Sequence, residues 1–175
     1  KKVYATPGSV NTLGGVMKDI NDDLPEDTEV YIVEMGARGP GDIAEITQFV
    51  QPHYAVVGVI GPQHIEYFKT LERIRDTKME ILGSKRLKHA WIHASAYVKP
   101  DERVTVFGDE IENVISTLEG VDFDLKLSDM TLYVHIPILG AFNAVNVAVA
   151  LHVANALGIT YEKGAEYAKS LEPVA

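Results

Sequence analysis

Two loops that follow strand-like runs carry groups able to bind a metal or phosphate, and a third offers small polar side chains. Glu34 ends the apolar run Tyr31-Ile32-Val33 and opens Glu34-Met35-Gly36-Ala37-Arg38-Gly39-Pro40-Gly41-Asp42. An ionised carboxylate at the end of a buried strand needs a cation or several donors to offset desolvation. Glu34 is therefore a candidate metal ligand, with pairing to a neighbouring Arg or Lys as the alternative. His64 closes Gly61-Pro62-Gln63-His64, which follows Val56-Val57-Gly58-Val59-Ile60. If the two strands are neighbours, carboxylate and imidazole meet at one sheet edge and suit a divalent cation with phosphate oxygens. The third loop, Thr6-Pro7-Gly8-Ser9-Val10-Asn11-Thr12, has a glycine for close backbone approach and polar side chains at Ser9, Asn11 and Thr12. A turn followed by a helix cap explains that loop equally well.

Lys78 stands on a helical stripe with Leu71, Ile74 and Leu82 at spacings of three and four. Desolvation favours its neutral amine, a nucleophile able to capture carbon dioxide as a carbamate. A snorkelling lysine is the competing reading, and on pattern alone the commoner one. Asn143 and Asn146 lie three apart near the start of an apolar helix and share a face. Two carboxamides can read the edge of a base such as adenine, although caps and structural amides arise more often.

The elements that must position these groups alternate. Strands are expected at Lys2 to Ala5, Glu29 to Met35 and Tyr54 to Ile60, separated by helices at Thr12 to Leu24 and Asp42 to Val50. The latter two strands are near-continuous apolar runs, as buried parallel strands require. Such alternation predicts an α/β fold with a largely parallel central sheet flanked by helices. Its ligands gather beyond the carboxyl ends of the strands. A helix from Leu71 to Leu82 takes Thr70 as its N-cap. From His89 to Ile136 short strands broken by turn residues predict an antiparallel meander or small second sheet. Helices from Ala141 to Leu157 and Tyr161 to Leu171 close the chain, the first apolar nearly all round and so expected to be buried.

Composition narrows the classes. The chain has 175 residues, a formal net charge of -9 and no cysteine. One well-buried core is the expectation for that length, and nothing clusters Lys and Arg into a stripe for a nucleic-acid backbone. Cysteine chemistry is excluded, and a cytoplasmic location is expected. No apolar run approaches the roughly 18 residues that suggest a membrane helix.

Taken together, the loops resemble the Mur ligase family. Glu34-Met35-Gly36-Ala37 followed by Pro40-Gly41-Asp42-Ile43 looks like the acidic motif of its dipeptide-adding member. Gly61-Pro62-Gln63-His64-Ile65-Glu66-Tyr67-Phe68 resembles the family's Gly-Pro-x-His-x-Glu-x-Phe pattern, and Lys78 stands where family members carbamylate a lysine. Gly140-Ala141-Phe142-Asn143-Ala144-Val145-Asn146 is similar to the adenine-side motif, with Phe142 in place of the usual histidine. The resemblance implies a fold like that of phosphate-loop NTPases and a whole chain, 1–175, that is the central ATP-binding domain.

It also implies ATP and Mg2+ as cofactors. Glu34, His64 and carbamylated Lys78 would serve the metals, with His64 and Lys78 catalytic; Asn143 and Asn146 would orient adenine. Ser9, Asn11 and Thr12 would meet the UDP-N-acetylmuramoyl-peptide, whose carboxylate is activated for attack by D-alanyl-D-alanine. No Gly-x-x-x-x-Gly-Lys-[Ser/Thr] phosphate loop occurs in the sequence. The resemblance places that loop upstream of residue 1 and an acceptor domain beyond residue 175, so the fragment alone is expected to be inactive. The rival expectations are a Mur or folylpolyglutamate-type ligase with another acceptor, and a non-catalytic nucleotide-binding module.

Overall fold

The computed structural model describes residues 1–62, 65–96 and 99–172. The chain divides into two compact units, one of residues 1–55 and 60–90, the other of residues 56–59 and 91–175.

In the first unit, β1 (Val3–Ala5) pairs in parallel with β2 (Val30–Ile32), with Val3 opposite Val30 and Ala5 opposite Ile32. The connection is α1 (Leu13–Asp22), capped by Thr12, whose Oγ1 accepts from the Gly15 amide at 3.3 Å. Asp19 of α1 is buried and accepts from the hydroxyls of Tyr4 and Tyr31 at 2.8 and 2.6 Å. Two O–H donors let a buried carboxylate do without a cation. The tyrosines are correspondingly harder to ionise: Tyr31 chiefly through burial and then its bond to Asp19, Tyr4 chiefly through that bond. Burial of these strands is lower than expected. Val3 and Ile32 are exposed, so the pair is covered on its tyrosine face rather than on both.

Next come α2 (Asp42–Val50), whose Ile43, Ile46 and Thr47 are buried, and the short α3 (Ile65–Phe68), which the sequence pattern does not predict. The helix α4 (Leu71–Met79) begins as expected, with Thr70 Oγ1 accepting from the Arg73 amide at 3.2 Å. It ends early, in a 3-10 turn at Glu80–Gly83.

The strand β3 (Tyr54–Val57) neighbours β4 (His89–His93), and β4 in turn neighbours β5 (Val104–Phe107). This corrects the expected meander: His89 to His93 is the central strand of that sheet. Its Ala90, Trp91 and Ile92 are all buried, as a strand covered on both faces requires. The strands expected to share one sheet are ordered as two, β1-β2 and β3-β4-β5.

The small antiparallel sheet consists of β6 (Ile111–Ser116), β7 (Val121–Lys126) and β8 (Thr131–Ile136), in that order. Val121, Phe123 and Leu125 alternate inward on β7 and meet Leu132, Val134 and Ile136 of β8. They form one core with α5 (Phe142–Ala156) and α6 (Tyr161–Ala168), through Ala144, Ala148, Leu151, Ala165 and Ala168. Only one stripe of α5 is buried, and Phe142 is 67% exposed, so the expected all-round burial does not hold. Small residues at Ala144 and Ala148 bring that single face close to the sheet.

A polar link runs beneath this core. His152 of α5 lies 2.9 Å from the Tyr161 hydroxyl and 3.1 Å from Glu110, whose other oxygen accepts the Gly108 amide at 2.7 Å. Burial pushes the Glu110 carboxyl up, but the His152 and backbone hydrogen bonds outweigh it and hold it below its ordinary value.

Candidate functional site

In the first unit the loop after β1 and the loop after β2 are bonded to each other at four points. The Thr6 amide donates to the Ile32 carbonyl at 2.9 Å, and the Glu34 amide to Thr6 Oγ1 at 3.1 Å. The Gly36 amide donates to the Asn11 carbonyl at 2.7 Å, and Asn11 Nδ2 donates to Glu34 Oε1 at 2.9 Å. Gly36 is required by this approach: a Cβ there would lie 2.8 Å from Asn11 Cγ and Oδ1 and 3.1 Å from its carbonyl oxygen. Thr12 is committed to capping α1, which is the simpler reading of the loop. Ser9 is exposed and adopts a φ of 70°, a left-handed conformation uncommon for a side-chain-bearing residue.

Glu34 lies beyond β2 and is exposed, so the burial premise for a metal ligand is corrected. The strand is shorter than its apolar run because the chain leaves the ladder at Val33 to join the Asn11 loop. No cation pairs with Glu34 among the described residues, which removes the ion-pair alternative there. Among the described residues its partner is a neutral amide, which takes one oxygen and leaves the other open.

Lys78 is also placed differently from expectation. The buried face of α4 is Ile74 and Thr77, while Leu71 is 47% exposed. Lys78 flanks that face and is half-buried. Among the described residues no carboxylate pairs with its amine. His64 lies outside the described residues.

In the second unit Asn143 and Asn146 do share a face of α5, as their spacing requires. Asn143 Nδ2 donates to the Leu139 carbonyl at 2.9 Å, and Asn146 Nδ2 to Asn143 Oδ1 at 3.3 Å. The pair forms a short relay at the start of the helix, beside the exposed ring of Phe142, which lies over Gly140.

Residues 1–154 match the family described as the Mur ligase middle domain. The chain belongs to that family. It is 27% identical to the UDP-N-acetylmuramoyl-tripeptide--D-alanyl-D-alanine ligase of Bacillus subtilis, over 94% of this chain and 38% of the relative. Among solved structures it is similar to a MurF from Acinetobacter baumannii, with a TM-score of 0.86 at 22% identity, covering 99% of this chain and 41% of that one. A MurF ligase from Thermotoga maritima, solved in complex with ADP, gives 0.79 at 26% identity, covering 99% and 43%. The chain thus spans about two fifths of the length of the proteins it matches.

For a Mur ligase middle domain, the donor set fits magnesium in kind. Among the described residues no group of three or more His, Cys, Asp or Glu could enclose a metal. Magnesium is ordinarily held by one or two carboxylates together with phosphate oxygens and water, so a single open carboxylate oxygen is the appropriate offering. No helix among the described residues is long and apolar enough to cross a membrane.

Sequence reasoning missed two features here. One is the bond from the Asn11 side-chain amide to Glu34 Oε1. The other is Glu80, whose carboxylate accepts the backbone amides of Gly41, the N-cap of α2, and of Ala44 within it. Both contacts join residues far apart in sequence, where no helical or strand period gives a signal.

Proposed function

We propose that this chain is the central domain of an ATP-dependent carboxylate–amine ligase that joins D-alanyl-D-alanine to UDP-N-acetylmuramoyl-tripeptide. It works in the cytoplasm with N- and C-terminal domains of a longer protein, and the phosphate loop belongs to the same central domain, just upstream of residue 1. The observation that carries this reading is the Glu34 loop, which presents an open carboxylate oxygen within a motif like that of dipeptide-adding relatives.

ATP transfers its terminal phosphoryl group to the peptide carboxylate; the dipeptide amine attacks the acyl carbon and phosphate leaves, giving amide, ADP and phosphate. Magnesium supplies charge neutralisation at the phosphates. Within this chain, Glu34 and His64 offer an oxygen and a nitrogen to metal, and Asn11 fixes the Glu34 rotamer. Lys78, carbamylated, exchanges a cation for an anionic oxygen donor. Asn143 and Asn146 orient adenine, Ser9 and the Asn11 loop border the peptide substrate, and Thr12 holds that loop to α1.

The test is an assay of the full-length protein with ATP, the UDP-linked tripeptide and a panel of acceptors. Amide formation and ADP release with D-alanyl-D-alanine, and not with single amino acids, are expected. Turnover with a single amino acid instead would assign another Mur ligase. Absence of turnover with every acceptor would favour a non-catalytic module.

A further inference from the structure

The N-terminus of α2 is closed by a residue from elsewhere in the chain. Its N-cap is Gly41, at a φ of 97° and with no side chain to accept from the first amides. Glu80 fills that role: Oε1 accepts from the Gly41 amide at 2.8 Å and Oε2 from the Ala44 amide at 3.0 Å. A carboxylate here satisfies two of the donors a helix start leaves open and sits at the favourable end of the helix dipole. Among the described residues no Lys, Arg or His pairs with Glu80, so both oxygens are given to the backbone.

What Glu80 is attached to matters more. It is the C-cap of α4, and its own amide donates to the Thr77 carbonyl. Lys78 lies between those two residues. On the other side, α2 follows the Glu34 loop directly. Asp42 Oδ2 accepts from the Arg38 and Gly39 amides at 2.7 and 2.9 Å, and Gly36 is bonded to Asn11. Hydrogen bonds and the short stretches of backbone between them therefore connect the end of α4 to Glu34. Local capping alone needs only a Ser, Asp or Asn at the helix start. Here the cap is supplied by the helix that carries Lys78.

We infer that Glu80 is a positioning residue that holds the Lys78-bearing helix in register with the Glu34 loop. The hydrogen bonds stand on their own; their catalytic consequence rests on the ligase reading above. Loss of the link loosens both ends while leaving every reacting group present.

The experiment uses the full-length protein and the variants Glu80→Gln, Glu80→Ala and Glu80→Asp, with Phe123→Leu as a destabilised control remote in sequence. Hydrogen exchange of peptides spanning 38–46 reads the link directly. Exchange there should be roughly tenfold faster in Glu80→Ala, because both amides lose their acceptor, with a smaller rise in Glu80→Gln, whose one remaining oxygen serves only one of them. Turnover per folded molecule should fall roughly tenfold or more, with KM for D-alanyl-D-alanine little changed, since misplacement of reacting groups costs rate rather than acceptor binding. Glu80→Asp keeps the charge but falls short, and should lie between wild type and Ala. The control should lower melting temperature and leave kcat intact. Unchanged exchange in Glu80→Ala overturns the link, and faster exchange with wild-type kcat overturns the positioning role. A wild-type protein without amide-forming activity sinks the ligase reading, while the exchange result still decides the link.

Discussion

Around Glu34, strands only three residues long carry loops that satisfy one another: Thr6 with Glu34, Asn11 with Glu34 and Gly36, Asp42 with Arg38 and Gly39, Glu80 with α2. Around Phe123, six-residue strands in unbroken β7-β8 register lay alternate apolar side chains on two helices, with Glu110, His152 and Tyr161 as a polar seam. The first region spends its polar groups on holding one carboxylate in place and leaves it exposed. The second spends its apolar groups on burial and leaves little to react. Apart from Asn143 and Asn146 at the start of α5, stability and chemistry are thus drawn from different parts of the chain, and each region should fail in its own way when altered.

The largest effect on stability belongs to the second region. Phe123 is 1% exposed, and Phe123→Ala should cost about 3–5 kcal/mol through lost burial and the cavity left behind. Chemical denaturation measures that loss. Turnover per folded molecule should stay near wild type, and a large fall in kcat would break the division between the regions.

In the first region Asn11→Ala should leave the melting temperature close to wild type. Removing a support of a metal-binding carboxylate costs roughly 10- to 100-fold in metal affinity or activity, so half-maximal activity of the full-length protein should require correspondingly more Mg2+. A rise in KM for the UDP-linked peptide, with the Mg2+ requirement unchanged, would return Asn11 to the substrate role its motif implied.

Gly36→Ala sharpens the same point. The new Cβ would stand 2.8 Å from the Asn11 side chain and 3.1 Å from its carbonyl, so the loops must part at a cost of about 1–2 kcal/mol. Adding Asn11→Ala should recover part of that loss, because the nearer clash is with a side chain. A double-mutant cycle on thermal stability gives the coupling, and strict additivity would deny the contact.

The smallest effect is a pH dependence at the seam. Glu110 is held below its ordinary pKa in the fold, so its stabilisation is complete above the unfolded value of about 4.3 and is lost as pH falls through the lowered folded value. Glu110→Gln should therefore weaken the protein at neutral pH and flatten its acid unfolding curve. Parallel acid curves for variant and wild type would remove Glu110 from that account.

These two regions were also unequally legible from sequence. Alternation at Phe123-Asp124-Leu125-Lys126 marks β7, the bounds of α2 at Asp42 and Val50 follow from its turn residues and period, and Thr70 announces α4 as a cap. Each of these is a local signal. Lys78 misled on pattern, because Leu71 shares its stripe yet stays exposed while Thr77 is buried. Glu34 is misplaced by its pattern because the apolar run continues past the end of β2 at Ile32. Asn11, Asp19 and Glu80 act through partners distant in sequence, and nothing in their spacing points there.

The most direct test of the account is the behaviour of Lys78 in the full-length protein. Lys78→Ala should lower ligase turnover by roughly 100-fold or more, the scale of losing one preorganised electrostatic group, with melting temperature nearly unchanged for a half-buried side chain. Acetate should restore part of the activity by supplying carboxylate oxygens, and Lys78→Arg should remain as poor as Ala, because a guanidinium carries no oxygen. Near-normal turnover of Lys78→Arg would make Lys78 a snorkelling surface lysine and contradict its assignment as the carbamate.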